Sequence, residues 1–221
     1  MNRYVDVVYN ERIRPFTNYP RELCKYLFGR FGLKQGDKLL DIGCGRGDFS
    51  KSFKDLNLEV YGLDCAESSS LLLENIQVRR ANIENEPFPF DDNMFDVVFA
   101  KSVIEHLFNP ENFMKECYRI LKPSGRLIIM TPDWISQMKI FFDDYTHRQP
   151  YTLTALKDIL DIFLFKDVSS EIFYQIPILW KYPALKAISG IIRLLVPVTA
   201  KSNIRFIRWS TELMILGTGV K

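Results

Sequence analysis

The run LLDIGCGRGDFS, residues 39–50, sets three glycines in five positions directly behind an apolar stretch. No other feature of the chain limits the fold as much. A short apolar run ending in glycine reads as a buried strand, and the residues beyond it open a helix. Glycine at 43, 45 and 47 removes every Cβ at those positions and permits positive φ. The turn is then either a tight strand-to-helix connection or a place where a ligand meets the backbone.

The same grammar recurs downstream. LEVYGLD (58–64), IQVRRAN (76–82), FDVVFA (95–100) and RLIIMT (126–131) read as further strands. KDVSSEIFYQI (166–176) and ELMILGTG (212–219) read as a sixth and a seventh. Helical patterns fall between them. RELCKYLFGRF (21–31) follows Pro20, which suits a first helical position. In residues 110–125, Phe113, Met114, Cys117, Ile120 and Leu121 recur at helical spacing, and Pro123 with Gly125 is expected to close that helix. LKDILDIFLF (156–165) is another helix. Strands alternating with helices imply a parallel sheet covered on both faces. The expected fold class is α/β: a Rossmann-like, doubly wound, seven-stranded, mostly parallel sheet with a helical insertion before the last strand. Residues 1–221 are expected to form a single domain, with an N-terminal cap helix region over 1–35 and a basic amphipathic insertion over 177–210.

A chain of 221 residues can bury a core without disulfide or metal staples. Its net charge of +2 argues against a nucleic-acid partner. Cys24, Cys44, Cys65 and Cys117 form no CxxC pair, and the first twenty residues lack an apolar leader core. Both point to free thiols in a cytoplasmic setting. No apolar run reaches the ~18 residues of a membrane span.

Asp64 ends the second strand, 23 residues after Asp41. An acidic side chain there can accept bonds from both hydroxyls of a ribose. A pyrophosphate ligand would favour GxGxxG, whereas this turn is GxGxG and is preceded by Asp41. Asp41 suits a cationic ligand end, such as an amino-acid ammonium.

DIGCGRG followed by GLD resembles the first motif, and its acidic partner, of class I S-adenosylmethionine-dependent methyltransferases. The likeness covers about residues 36–133 and includes the stretch from FPFDDNMFDVVFA to RLIIMTP. It implies S-adenosylmethionine as cofactor. Asp41 and the loop of Gly43, Cys44, Gly45 and Gly47 would hold the methionine part. Asp64 would bind the ribose, with Cys65 beneath the adenine. Asn82 stands where the family often has an acidic residue for the adenine amine, with Ile83 packing on the ring. Ala100, Lys101 and Ser102 would lie near the reacting methyl.

An oxygen acceptor usually needs a general base, and a neutral histidine is suited to that work. Only His106 and His147 are present. His106 sits in SVIEHL; ExxEH at this place marks two metal-binding subgroups, the quinone-pathway and small-RNA O-methyltransferases. Ser102 replaces the first of those glutamates. One carboxylate and one histidine make a poor cage, so no metal is expected. His147 lies in DDYTHRQPYT, a segment crowded with Asp143, Asp144 and Arg148. It is either a base or acceptor ligand, or a histidine anchoring its loop on a backbone carbonyl. The catalytic candidates are His147, His106 and Asp144. THRQPYT also resembles methyltransferases of polysaccharide and glycolipid biosynthesis.

Residues 176–221 hold seven basic residues against one acidic, leaving the remainder of the chain at −4. Leu185, Ile188, Ile191, Ile192 and Leu195 share one helical face; Lys186, Ser189 and Arg193 share the other. This segment is either a lid packed on the domain, a dimer face, or a peripheral contact with anionic lipid. The expected activity is O-methylation of a sugar hydroxyl on a glycan or glycolipid, with a small-molecule or lipid-linked acceptor. The alternatives are a quinone or lipid head-group methyltransferase, and a protein that binds S-adenosylmethionine without transferring its methyl. RNA methylation is disfavoured by the weak charge.

Overall fold

The computed structural model describes residues 15–65 and 75–221. The first fourteen residues of the expected cap region, 1–35, lie outside them. Helix α1 (Tyr19–Phe31) carries proline in its first turn and buries Leu23, Cys24 and Leu27. Then come β1 (Lys38–Ile42), α2 (Asp48–Lys54), β2 (Glu59–Asp64), β3 (Gln77–Arg80) and β4 (Phe95–Lys101). A 3-10 turn (Ile104–His106) leads towards α3 (Glu111–Ile120), which runs directly into β5 (Leu121–Pro132). Next are α4 (Trp134–Gln137), α5 (Leu153–Ile162) and β6 (Lys166–Phe173). The insertion holds α6 (Pro177–Lys181), α7 (Lys186–Leu195) and α8 (Arg205–Thr211), and β7 (Met214–Val220) closes the chain.

The strands form one seven-stranded sheet in the order β3-β2-β1-β4-β5-β7-β6. β1 pairs in parallel with β2 and β4, and β2 with β3. The fold class read from the sequence is therefore the one observed.

The described residues fall into two compact units. Unit 1 takes the residues up to Ala100, with Asn109–Leu127 and Val220–Lys221. Unit 2 takes Lys101–Phe108 and Ile128–Gly219. In unit 1, Leu39, Leu40 and Ile42 of β1 are fully buried with Leu63, Phe53, Phe95, Val98 and Phe99. The near-continuous apolar run of β1 is what a strand covered on both faces requires.

Helix α3 buries Phe113, Met114, Cys117 and Ile120 as its spacing predicts, but it ends at Ile120, well short of Gly125. Pro123 disfavours helical geometry at Lys122, and Leu121 is already extended at ψ 139°. Gly125 caps no helix; it lies within β5. A Cβ there would meet the Lys122 carbonyl oxygen at 2.8 Å and that of Phe95 at 3.1 Å. Close backbone approach explains this glycine. Helix α5 starts three residues before its expected beginning because the Thr152 side chain accepts from the Ala155 amide.

In unit 2, α7 is amphipathic with its apolar side turned outward. Leu194 is 86% exposed, Leu195 77%, Ile191 56% and Ile188 49%, while Ser189 is the buried residue of the helix. A lid packed through its apolar face would show the reverse. Among the described residues no helix is long and apolar enough to cross a membrane.

Candidate functional site

In unit 1, β1 delivers Asp41 to the sheet interior just before the glycine turn. Gly43, Gly45 and Gly47 have φ of 70°, 50° and 81°, a region that side chains disfavour. The turn is tied at three points. Gly43 N–H donates to the Leu63 carbonyl at 2.7 Å, Gly47 N–H to the Cys44 carbonyl at 2.8 Å, and Gly45 N–H to Asp64 Oδ2 at 2.8 Å. Asp64 thus grips the turn from the end of β2. Asp41 is buried and accepts from the Ser50 hydroxyl. Burial pushes its carboxyl up to about 7; the Ser50 bond pulls the other way, and the charge of Asp64 adds to the rise. A Cβ built on Gly45 would come no nearer than 4.0 Å to any atom shown, that of the Gly43 carbonyl oxygen. Among the described residues the space beside Gly45 is open, so the turn fits a ligand that approaches the backbone.

The other unit 1 candidates stand less close to that turn's chemistry. The Cys44 thiol is buried and points at Gly62, where an added Cβ would meet its sulfur at 2.9 Å. Only its backbone serves the turn. Cys65 is exposed just past β2. The Asn82 side-chain oxygen accepts from the Glu84 amide at 3.1 Å, so the group expected to take an adenine amine already closes a local turn. Ile83 is half-buried, and its carbonyl accepts from the Asn112 side-chain amide at 3.0 Å.

Unit 2 brings the catalytic candidates together. Lys101 ends β4, and Ser102 takes a positive φ of 57° while its amide donates to the Met130 carbonyl. The 3-10 turn then presents Glu105 and His106. The segment carrying His147 is clamped against this turn, because the amides of Arg148 and Gln149 donate to the Glu105 carbonyl at 2.8 and 3.0 Å. The two imidazoles lie 4.9 Å apart between centroids.

Hydrogen bonding fixes their tautomers. His147 Nδ1 lies 2.6 Å from the Phe141 carbonyl oxygen, which can only accept. Thr146 Oγ1 donates to Asp144 Oδ1 at 2.6 Å, so it accepts from His106 Nδ1 at 2.9 Å. In both neutral rings Nδ1 carries the proton and Nε2 the lone pair. Burial lowers the His106 pKa, and neighbouring His147 lowers it further, against the pull of Thr146 and Asp144. His147 is anchored on a backbone carbonyl, and the anchor also orients its second nitrogen, so both readings of this residue stand. Asp144 touches Thr146 and holds His106 through it.

Glu105, the carboxylate of the SVIEHL pair, was not among the expected catalytic residues. It is fully buried. Its Oε2 accepts from the Thr131 hydroxyl at 3.0 Å, and its Oε1 has no hydrogen-bond partner among the described residues. Burial pushes its carboxyl up to about 7, opposed by its backbone and Thr131 bonds and by the Lys101 charge. One ligand atom from each of Glu105, His106 and His147 lies within 4.8 Å of the others. The signal was the adjacent Glu-His pair; its third member lies 41 residues downstream, at a distance no local pattern spans.

These features define a class. A methyltransferase-domain family matches residues 40–129, from the strand before the glycine turn into β5. A solved S-adenosylmethionine-dependent methyltransferase of Archaeoglobus fulgidus shares the fold, with a TM-score of 0.66 at 24% identity over 97% of this chain and 98% of that one. Residues 40–129 thus carry a methyltransferase domain, and the chain has the fold of the S-adenosylmethionine-dependent methyltransferases. It is 33% identical over 199 residues to an uncharacterized protein of Methanocaldococcus jannaschii, covering 86% of this chain and 83% of the other. It is 31% identical over 143 residues to phosphoethanolamine N-methyltransferase 2 of Caenorhabditis elegans, covering 60% of this chain. It spans only 33% of that nematode enzyme's length.

Proposed function

We propose that the chain transfers the methyl group of S-adenosylmethionine to a hydroxyl oxygen on a sugar of a glycan or glycolipid carried at a lipid surface. The observation that carries this reading is α7. Its apolar side faces outward at Ile188, Ile191, Leu194 and Leu195, with exposed Tyr182 and Ile204 on either side in sequence. Lys181, Lys186, Arg193, Lys201 and Arg205 are interspersed through the same stretch. Exposed aliphatics beside basic residues suit an anionic bilayer surface. Residues 177–210 then form a docking insertion, and an acceptor borne by lipid follows.

Unit 1 is proposed to take the cofactor. Asp41 and the Gly43–Gly47 turn would receive the methionine part, with Asp64 at the ribose and Cys65 and Ile83 beside the adenine. The cofactor supplies an electrophilic methyl on a sulfonium, which leaves as a neutral thioether. Much of the remaining barrier is positional. The Glu105–His106–His147 cluster of unit 2 is proposed to activate the acceptor hydroxyl. His147 is its central residue; Asp144, through Thr146, aligns His106.

A second reading is a quinone or lipid head-group acceptor. The name of the nematode relative supports the head-group form, and the α7 surface would serve either.

Methyl-labelled S-adenosylmethionine, purified chain and a membrane extract of the source cells test the assignment, with Asp64→Ala as control. The proposal expects label in the organic phase that acid hydrolysis releases as a water-soluble methyl sugar. Label that stays with an apolar ring, or leaves as a methylated amine, selects the second reading. No label above the control overturns both and leaves a cofactor-binding protein without transfer.

A further inference from the structure

Three donors in unit 2 converge without an evident structural need. Glu105 is fully buried with one carboxylate oxygen lacking a hydrogen-bond partner among the described residues. A buried, unpartnered carboxylate oxygen is costly unless something else meets it. His106 and His147 lie beside it, each with Nδ1 committed to a neighbour and Nε2 carrying the lone pair. Glu105 and His106, adjacent in the chain, make a poor cage by themselves. The fold supplies the second histidine from 41 residues away.

We propose that Glu105, His106 and His147 form a binding site for one divalent transition-metal ion. The donor set decides the kind of ion. Two imidazoles and one carboxylate favour zinc, cobalt, nickel or iron over magnesium or calcium, which prefer all-oxygen shells. Three protein ligands leave at least one position open, the arrangement of a reactive rather than a structural site. One candidate ligand atom from each residue lies within 4.8 Å of the others. Bonds of about 2.1 Å in a tetrahedron set donors about 3.4 Å apart, so the side chains must draw together to close the set. The surroundings agree independently. Histidine ligands commonly donate their other ring N–H to a carbonyl or carboxylate, which sets tautomer and ring orientation. His147 donates to the Phe141 carbonyl, and His106 reaches Asp144 through the Thr146 hydroxyl.

This inference deepens the proposed function and rests on it for the role of the ion, though not for its binding. An acceptor hydroxyl at the open position becomes more acidic. Its proton passes to solvent, its oxygen forms the new bond to the methyl carbon, and the electron pair of the breaking C–S bond passes to sulfur. His147 then acts as a ligand and not as the base.

Cobalt(II) reports such a site through its visible absorption. Titration of the metal-free full chain with cobalt chloride, without cofactor or acceptor, should saturate at one ion per chain and be competed by zinc. His147→Ala and His106→Ala should each weaken binding at least tenfold. Thr146→Val, which leaves all three ligands in place, should weaken it less but measurably, and it guards against a ligand variant that fails to fold. No absorption change in the unaltered chain, or affinity within twofold in both histidine variants, overturns the site. That failure leaves methyl transfer standing. A chain that binds cobalt but labels no acceptor removes the function instead and keeps the site.

Discussion

The glycine turn of unit 1 and the polar cluster of unit 2 are built in opposite ways. The turn is local. Asp41, Gly43, Gly45 and Gly47 lie within seven residues, and its long tie, Asp64 to the Gly45 amide, spans 19. The cluster is assembled by folding: Glu105 and His106 meet His147 because two amides of a distant segment donate to one carbonyl. The turn can be recognised from sequence and shared by many chains that use one cofactor. If the cluster serves the acceptor as proposed, it can vary that chemistry without disturbing the turn, as when residues are carried on loops over a fixed scaffold.

The comparison predicts separable failures. The largest belongs to the cluster: His147→Ala should cut methyl transfer by about 10²-fold or more at saturating cofactor, whether the residue acts as base or as ligand. A loss below threefold would remove His147 from the chemistry. Next comes Asp64→Ala in the turn. It deletes a proposed ribose partner and strands the Gly45 amide, so affinity for S-adenosylhomocysteine should fall by about 2–3 kcal/mol in calorimetry.

A third prediction follows from Asp41. Its folded carboxyl is raised to about 7, so near pH 6 it holds a proton that the unfolded chain has lost. Ion pairing with a cofactor ammonium requires the charged form. Cofactor affinity should therefore rise by up to tenfold per pH unit below about pH 7 and level off above it. Asp41→Asn should flatten that slope. An unchanged slope in the variant would put the proton elsewhere. The same shift makes Asp41 a group whose cost to stability grows as pH rises from about 4 to 7, so the variant should gain relative stability at pH 8.

The smallest expected effect on folding tests the outward face of α7. Leu194→Glu should alter stability by no more than about 0.5 kcal/mol, since the side chain is exposed. It should nevertheless abolish co-sedimentation with vesicles containing anionic lipid. Destabilisation by several kcal/mol would mean that the residue packs against protein.

Much of the fold was legible in the sequence because β1, β2, β4 and α3 announce themselves by apolar period and by glycine or proline. The errors have physical sources. Gly125 was read as a helix cap, but a close carbonyl and not a left-handed turn demands it there. Asn82 is not among these errors: its oxygen accepts from an amide two residues along the chain, a habit of asparagine in turns, and keeps a second lone pair for a ligand. At α7 the period was read correctly and the direction was open, because amphipathicity says nothing of which face meets protein. Glu105 was hidden because its burial, its orphan oxygen and its histidine neighbour from a distant loop are properties of the folded chain.

The measurement that tests this division most directly is cofactor affinity in two variants side by side. Calorimetry with S-adenosylhomocysteine on Asp64→Ala and His147→Ala should show at least a 30-fold weakening in the first, the equivalent of about 2 kcal/mol, and a change within twofold in the second. Comparable losses in both would contradict the assignment of cofactor binding to the turn and acceptor chemistry to the cluster.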